Sequence, residues 1–206
     1  GLAGLLALAR QPALLTLLVL APLLGYGQIV MTGFYALYLT DVADYPPQLA
    51  GLCLTVAMLA AAGGRVLWGW AGDRFFPHAR GGGMAVILAV SALCAGLFLT
   101  LGPGAPVWQA TVLAAVFAAT AMGWHALLLV IIAEAAGASA TATAFGMFIN
   151  AAWAGWILGP LVFGALVDGP GWAWAWGSVA ASAAVCALTL GGLAWRRRAP
   201  AMPDAP

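Results

Sequence analysis

Six long apolar stretches, set apart by short breaks rich in proline and glycine, constrain this chain more than any other feature. A helix that crosses a bilayer needs about 20 mostly apolar residues. Six segments qualify: Pro12 to Leu39, Pro47 to Gly72, Met84 to Leu101, Val107 to Ala133, Ser139 to Val167 and Trp172 to Trp195. Lipid offers no partner for backbone N–H and C=O groups, so only helices and closed barrels span it. A barrel needs alternating polarity in segments of about ten residues, and none appears here. The expectation is an all-α membrane protein of six transmembrane helices. The breaks carry turn chemistry. Asp41 to Pro47 holds two acids and a Pro-Pro pair, and Gly81-Gly82-Gly83 precedes the third stretch. Gly102-Pro103-Gly104 follows the third stretch, and Gly169-Pro170-Gly171 follows the fifth. The first and fifth stretches approach thirty residues. At about 1.5 Å per residue they exceed a hydrocarbon core of roughly 30 Å. They should tilt, kink or protrude, with Pro22 and Pro160 as kink sites.

Charge and composition narrow the function. Only 6% of the 206 residues are charged and 65% are hydrophobic. Soluble domains carry about 25% charged residues, so most of this surface must face lipid. The seven basic residues are all arginine. Without lysine there is no P-loop, and ATP hydrolysis by that route is excluded. Cys53, Cys94 and Cys186 lie far apart in apolar stretches and read as buried small side chains. No metal, cofactor or nucleic acid is expected, and no enzymatic activity. The chain starts at Gly1 without methionine, and without a signal peptide's charged region and cleavage site. It reads as a piece of a longer protein or a trimmed form of one.

Charge placement sets the orientation. Arg10 precedes the first stretch, Arg65, Arg74 and Arg80 surround the break after the second, and Arg196, Arg197 and Arg198 follow the sixth. All seven fall on one side of a six-span chain, while Asp41, Asp44 and Asp168 mark the other. By the positive-inside rule the arginine side is cytoplasmic, with both termini inside. This reading divides the chain into a cytoplasmic segment 1–11, a bundle 12–195 and a cytoplasmic tail 196–206. The abundance of alanine, glycine and arginine, with no lysine, suggests a bacterium with GC-rich DNA, hence a multi-pass protein of the inner (plasma) membrane.

An internal repeat adds architecture. Gly51, Gly64, Gly69 and Asp73 recur as Gly146, Gly159, Gly164 and Asp168, at a uniform offset of 95. Each copy would hold three helices, about 12–103 and 105–195. Three is odd, so the second copy must lie upside down in the bilayer. Inverted three-helix repeats are an architecture of secondary transporters.

The segment Gly64-Arg65-Val66-Leu67-Trp68-Gly69-Trp70-Ala71-Gly72-Asp73-Arg74 resembles the G-x-x-x-D-R signature of the major facilitator superfamily. Gly159-Pro160-Leu161-Val162-Phe163-Gly164 is similar to that family's eleventh helix. The likeness covers essentially the whole chain and fits the C-terminal half, helices seven to twelve. It departs where the family continues with glycine and two basic residues. Here Phe75 to Ala79 intervene before Arg80. The resemblance implies a secondary active or facilitative transporter of a small organic solute, working by alternating access against a missing N-terminal half. It also implies a cytoplasmic latch made of Arg65, Gly69, Asp73, Arg74 and Arg80.

In that family the first helix of each repeat lines the cavity, here the first and fourth stretches. Polar groups within spans are costly and often functional. The first stretch offers Tyr26, Gln28 and Tyr35; the fourth offers Thr120, Trp124 and His125; the fifth adds Asn150 and Trp153. Tyr26, Gln28, Trp124, His125, Asn150 and Trp153 are the candidate substrate contacts. Helix-to-helix hydrogen bonding is the rival role for such residues. Gly155 and Gly159 read as close packing rather than a site. No carboxylate lies near mid-span. If transport is coupled to H+, the relay lies in the missing half or His125 replaces it. Two other functions fit less well. A permease subunit of an ATP-driven importer would need more than the Glu134-Ala135-Ala136 fragment of its docking loop. A non-transporting receptor or assembly protein could share the fold, since fold does not settle function.

Overall fold

A computed structural model describes residues 8–77 and 79–198, with backbone alone for 196–198. The first seven residues, His78, the arginine side chains after Trp195 and the tail from 199 lie outside that description. The described residues are helical: α1 (Pro12–Val42), α2 (Pro47–Phe75), α3 (Arg80–Leu97) with a 3-10 turn at Phe98–Thr100, α4 (Val107–Ala121), α5 (His125–Ala136), α6 (Thr141–Asp168) and α7 (Trp172–Arg198). α4 and α5 together form the fourth span, so six helical segments are long and apolar enough to cross a membrane.

The starts follow local chemistry. Pro12 and Pro47 occupy the first turns of α1 and α2, where a missing N–H leaves no bond unmade. Gly104 and Gly171 have φ of +73° and +99°, the left-handed backbone that the two Gly-Pro-Gly breaks called for. One expectation fails. Gly81-Gly82-Gly83 lies within α3 rather than ahead of it. A Cβ on Gly83 would meet the Phe76 ring at 2.9 Å, so this glycine lets the loop pack on the helix. Pro22 and Pro160 lie inside helices that continue through them. The interruption falls instead at Met122-Gly123-Trp124, where no proline stands.

Three pairings dominate the packing: α1 on α6, α2 on α4, and α3 on α7. In span order these are one with five, two with four, and three with six. Exchanging spans one to three for four to six turns the first pairing into the second and leaves the third unchanged. That is the signature of a two-fold repeat. Two glycines 95 positions apart occupy the equivalent contacts. A Cβ on Gly64 would lie 2.5 Å from the Ala119 carbonyl of α4. One on Gly159 would lie 2.9 and 3.0 Å from Tyr26 and Ile29 of α1. Gly51, Gly146 and Gly164 face open space, so those members of the spacing carry no contact.

The interior divides into two clusters. Toward the acidic end (Asp41, Asp44, Asp168), the rings of Tyr35, Tyr38, Phe98, Phe117, Phe163 and Trp176 pack edge to face. The Tyr35 and Tyr45 hydroxyls donate to the Ala110 and Ala105 carbonyls at 2.8 and 2.7 Å, and Tyr38 donates to Phe98. Toward the basic end (Arg10, Arg74, Arg80), leucines of α1 and α7 surround Trp124, Leu128 and Phe148.

Candidate functional site

The chemistry of the chain gathers in two places, an ion network at the basic end and the broken turn of the fourth span. In the network, Arg80 opens α3 with its side chain 18% exposed. Its Nη1 donates to Oδ1 of Asp73, in the last turn of α2, at 3.0 Å. Its Nε lies 3.3 Å from Oε1 of Glu134, in the last turn of α5. One guanidinium thus ties the ends of spans two, three and four, and its planar fork suits two carboxylates at once. Glu134 is a member that the sequence did not single out, since nothing local links it to a motif 54 residues away. Arg74 is exposed and makes no ion pair among the described residues. Gly69 is in ordinary contact, 3.5 Å from the Ala126 methyl if it carried a Cβ. The close approaches are at Gly64, against Ala119, and at Gly72, against Leu127.

An ion-tied end of span two and a two-fold six-helix bundle are the marks of one carrier architecture. The profile of the Major Facilitator Superfamily matches residues 17–206. The chain belongs to that family. Its members are multi-pass membrane transporters of small molecules rather than enzymes. No protein of curated function matches the chain.

Within this facilitator fold Arg65 stands apart from the ion network. It lies eight residues before Asp73 on α2, about 12 Å along the axis at 1.5 Å per residue. It is exposed and makes no hydrogen bond or ion pair among the described residues. The latch residues named from the sequence are therefore split. Asp73 and Arg80 meet, Arg74 sits beside them in solvent, and Arg65 stands about two turns away along α2.

The candidate substrate contacts are dispersed as well. The Tyr26 hydroxyl is 2.6 Å from Ser178 Oγ of α7. Gln28 is buried, and its Nε2 donates to the Ala121 carbonyl at 3.2 Å. Trp124 is buried and stacks on His125 with ring centroids 4.0 Å apart and planes 9° from parallel. His125 Nδ1 is 2.9 Å from the Met122 carbonyl. Asn150 is exposed, its amide returned to the Gly146 carbonyl of its own helix at 2.8 Å. Trp153 is also exposed and faces Trp156 at 5.6 Å. Gln28 lies level with Gly159, between its contacts Tyr26 and Ile29. Asn150 is nine residues earlier on α6, about 13 Å away along the axis. The two amides do not converge.

What does converge is the broken turn. An intact helix would bond the carbonyls of Ala119, Ala121 and Met122 to amides four residues on. Here three side chains take them: Trp68 Nε1 donates to Ala119 at 3.0 Å, Gln28 to Ala121, and His125 pairs with Met122. Spans one and two thus hold the break open from either side. Gly123 belongs there sterically, since a Cβ would run into the Trp68 ring and the Ala119 carbonyl.

Proposed function

We propose that the chain is the C-terminal six-helix half of a secondary active or facilitative carrier for a small organic solute. It would work by alternating access, rocking against an N-terminal half of the same polypeptide or a partner chain. The observation that carries this reading is the ion network. Family membership supplies transport in general, and the Asp73–Arg80–Glu134 triad supplies a place where closure of one side can be locked and released. The triad lies at the helix ends that the positive-inside rule assigns to the cytoplasm, with both termini there. A bacterial inner membrane is the setting that fits the composition.

In this mechanism Asp73, Arg80 and Glu134 hold spans two, three and four together while the opposite side is open. Arg74 is placed to meet the other half, and Gly69 keeps the surface between them low. His125, Asn150 and Trp153 supply aromatic and polar wall to the central cavity, and Trp124, stacked on His125, backs it. Tyr26 and Gln28 shape that wall with their polar atoms already engaged. His125 is the residue offered for H+ coupling from this half. The test is solute uptake into proteoliposomes by the full-length protein. A panel of labelled organic solutes should include one taken up saturably, and Asp73→Asn should slow its turnover. If no solute crosses while the protein binds ligands, the receptor reading replaces the carrier.

A further inference from the structure

The break in the fourth span gives His125 a fixed pose. Two contacts hold the imidazole. The Trp124 indole lies flat against it, with ring centroids 4.0 Å apart and planes 9° from parallel. Trp124 is 2% exposed and packs edge to face on Phe148, so this platform is set in the core. Consecutive side chains on a regular helix do not face each other. The stack exists because Trp124 precedes the first residue of α5, in the turn that follows Ala121. At the edge of the ring, Nδ1 lies 2.9 Å from the carbonyl of Met122, which falls in the same turn. In a continuous helix that carbonyl would take the amide of Ala126. The turn thus supplies both a floor and an acceptor for one side chain.

The pose decides what the ring offers. A carbonyl oxygen has no hydrogen to give, so Nδ1 is the donor and carries the proton. The lone pair of the neutral ring is then on Nε2, which is an acceptor. Nε2 makes no hydrogen bond among the described residues. Nor is it one of their buried, unpartnered atoms, which are Arg80 Nε and the indole nitrogens of Trp124 and Trp176. Nε2 is therefore open at the surface of this half. His125 makes no ion pair among the described residues. Glu134, the carboxylate of its own helix, is nine residues on, about 13 Å along the axis. A second proton would place a charge within the span with no carboxylate against it, which is costly. Lipid gives an open acceptor no donor, so Nε2 faces water or a ligand.

We infer that His125 selects the solute through Nε2, which accepts one hydrogen bond from an uncharged donor, a hydroxyl or an amide N–H, and that Trp124 is the residue that positions it. A fixed acceptor discriminates because a solute without the donor leaves it unpaired. An ether or a fully substituted amide gains nothing there. Protonation of Nε2 turns the acceptor into a donor, so H+ and the donor of the solute are alternatives at one atom. This deepens the carrier reading and rests on it only for the word solute; the acceptor itself is a binding claim.

The experiment separates the two. The full-length protein in detergent carries 15N-labelled histidine, and the His125 signals are those lost in His125→Phe. At neutral pH they should show the proton on Nδ1 and a pyridine-type Nε2; a proton on Nε2 overturns the pose. Diethyl pyrocarbonate attacks open, unprotonated imidazole nitrogens and should modify His125, read by mass spectrometry of its peptide. Glycerol, mannitol and glucose, and acetamide and benzamide, are tested as protectants beside their methyl ethers and N,N-dimethyl amides. At least one donor should protect, with its methylated match weaker by about three- to tenfold. Protection by none, or by donor and match alike, overturns the inference. Trp124→Phe should keep the tautomer and the protection. Trp124→Met, which fills space without a flat face, should mix the tautomers and weaken protection severalfold, with Trp124→Leu in its place if it does not fold. A single tautomer and full protection in that variant remove the positioning role. Uptake of the protecting solute into proteoliposomes then tests the carrier. Protection without uptake keeps the acceptor and removes the carrier reading. Uptake with KM unchanged in His125→Phe keeps the carrier and removes the acceptor.

Discussion

The first and fourth spans occupy the same place in the two halves of the repeat, yet one is whole and the other is broken. α1 carries Pro22 and runs without interruption from Pro12 to Val42. The fourth span has no proline between Val107 and Ala136 and breaks at Met122-Gly123-Trp124. A proline in a helix interior removes a bond and clashes with the preceding turn, so local chemistry alone would assign the break the other way. Neighbours decide it. α6 presses along α1 at glycines: Gly155 against the Pro22 carbonyl, and Gly159 against Tyr26 and Ile29. That close packing leaves α1 no room to open. At the fourth span the neighbours offer donors instead, Gln28 and Trp68, and these replace the helix's own bonds. A helix interior in a membrane is thus kept or broken by what the next helix brings to its carbonyls.

The most severe way to break this comparison is to push α6 off α1. A side chain at Gly155 has nowhere to go, because even its Cβ would collide with the Pro22 carbonyl. Gly155→Leu should cost about 3 kcal/mol or more, the upper range for overpacking. It should show as loss of monodisperse protein in size-exclusion chromatography. Gly146→Ala on the same helix has open space and should be neutral, or stabilising by about 0.5 kcal/mol through helix propensity. If Gly155→Leu folded with a wild-type thermal midpoint, packing on Pro22 would not be what holds α1 together.

Hydrogen exchange sharpens the same contrast without a mutation. Amides at Gly123 to Leu127 span the break, between the end of α4 and the first turn of α5, whereas those of α1 between Leu23 and Val30 lie in an unbroken helix. Mass spectrometry of the protein in detergent should show the first group exchanging on the order of a hundredfold faster than the second. Equal protection would mean that the fourth span closes its ladder in solution.

How much of this was open to reading from residues alone follows from where each cause resides. The six spans were legible, because length and apolarity are properties of single segments. So were the turns at Gly104 and Gly171, whose φ only glycine takes readily. The equivalent contacts of Gly64 and Gly159 were visible as a 95-residue spacing, although Gly51, Gly146 and Gly164 matched it without touching anything. The break was not legible. Its partners Gln28 and Trp68 lie in other spans, and no residue near Met122 announces it. Arg65 was drawn into the latch because it counts as one more arginine near the loop, and only the helix length put it two turns away. Glu134 was passed over because ion pairs between distant helices leave no local pattern.

Smaller effects should come from removing the donors that hold the break. Gln28→Leu leaves the Ala121 carbonyl without its partner, and Trp68→Phe does the same to Ala119. Each should lower stability by about 1 kcal/mol, the usual scale for a hydrogen bond between helices in a membrane. The two carbonyls are separate acceptors, so the double variant should be near additive in an unfolding titration. A coupling well above about 0.5 kcal/mol would show instead that the two donors act on one common arrangement of the turn.

The least effect on stability belongs to the ends of these same helices. Glu134 anchors the broken span to Arg80, while α1 contributes nothing to that network. The carboxylates are 73% and 60% exposed at Asp73 and Glu134, so solvent screens both pairs. Asp73→Asn and Glu134→Gln should each change the unfolding free energy by less than about 1 kcal/mol. Their effect on turnover should be larger than that, because an ion pair that forms in one conformation and parts in another biases the balance between them. Measuring both quantities on the same preparations separates the roles. A variant that slows solute uptake severalfold at unchanged thermal midpoint marks a latch. One that loses stability and activity in proportion marks an ordinary surface ion pair, and the broken span would then be fixed by Gln28 and Trp68 alone.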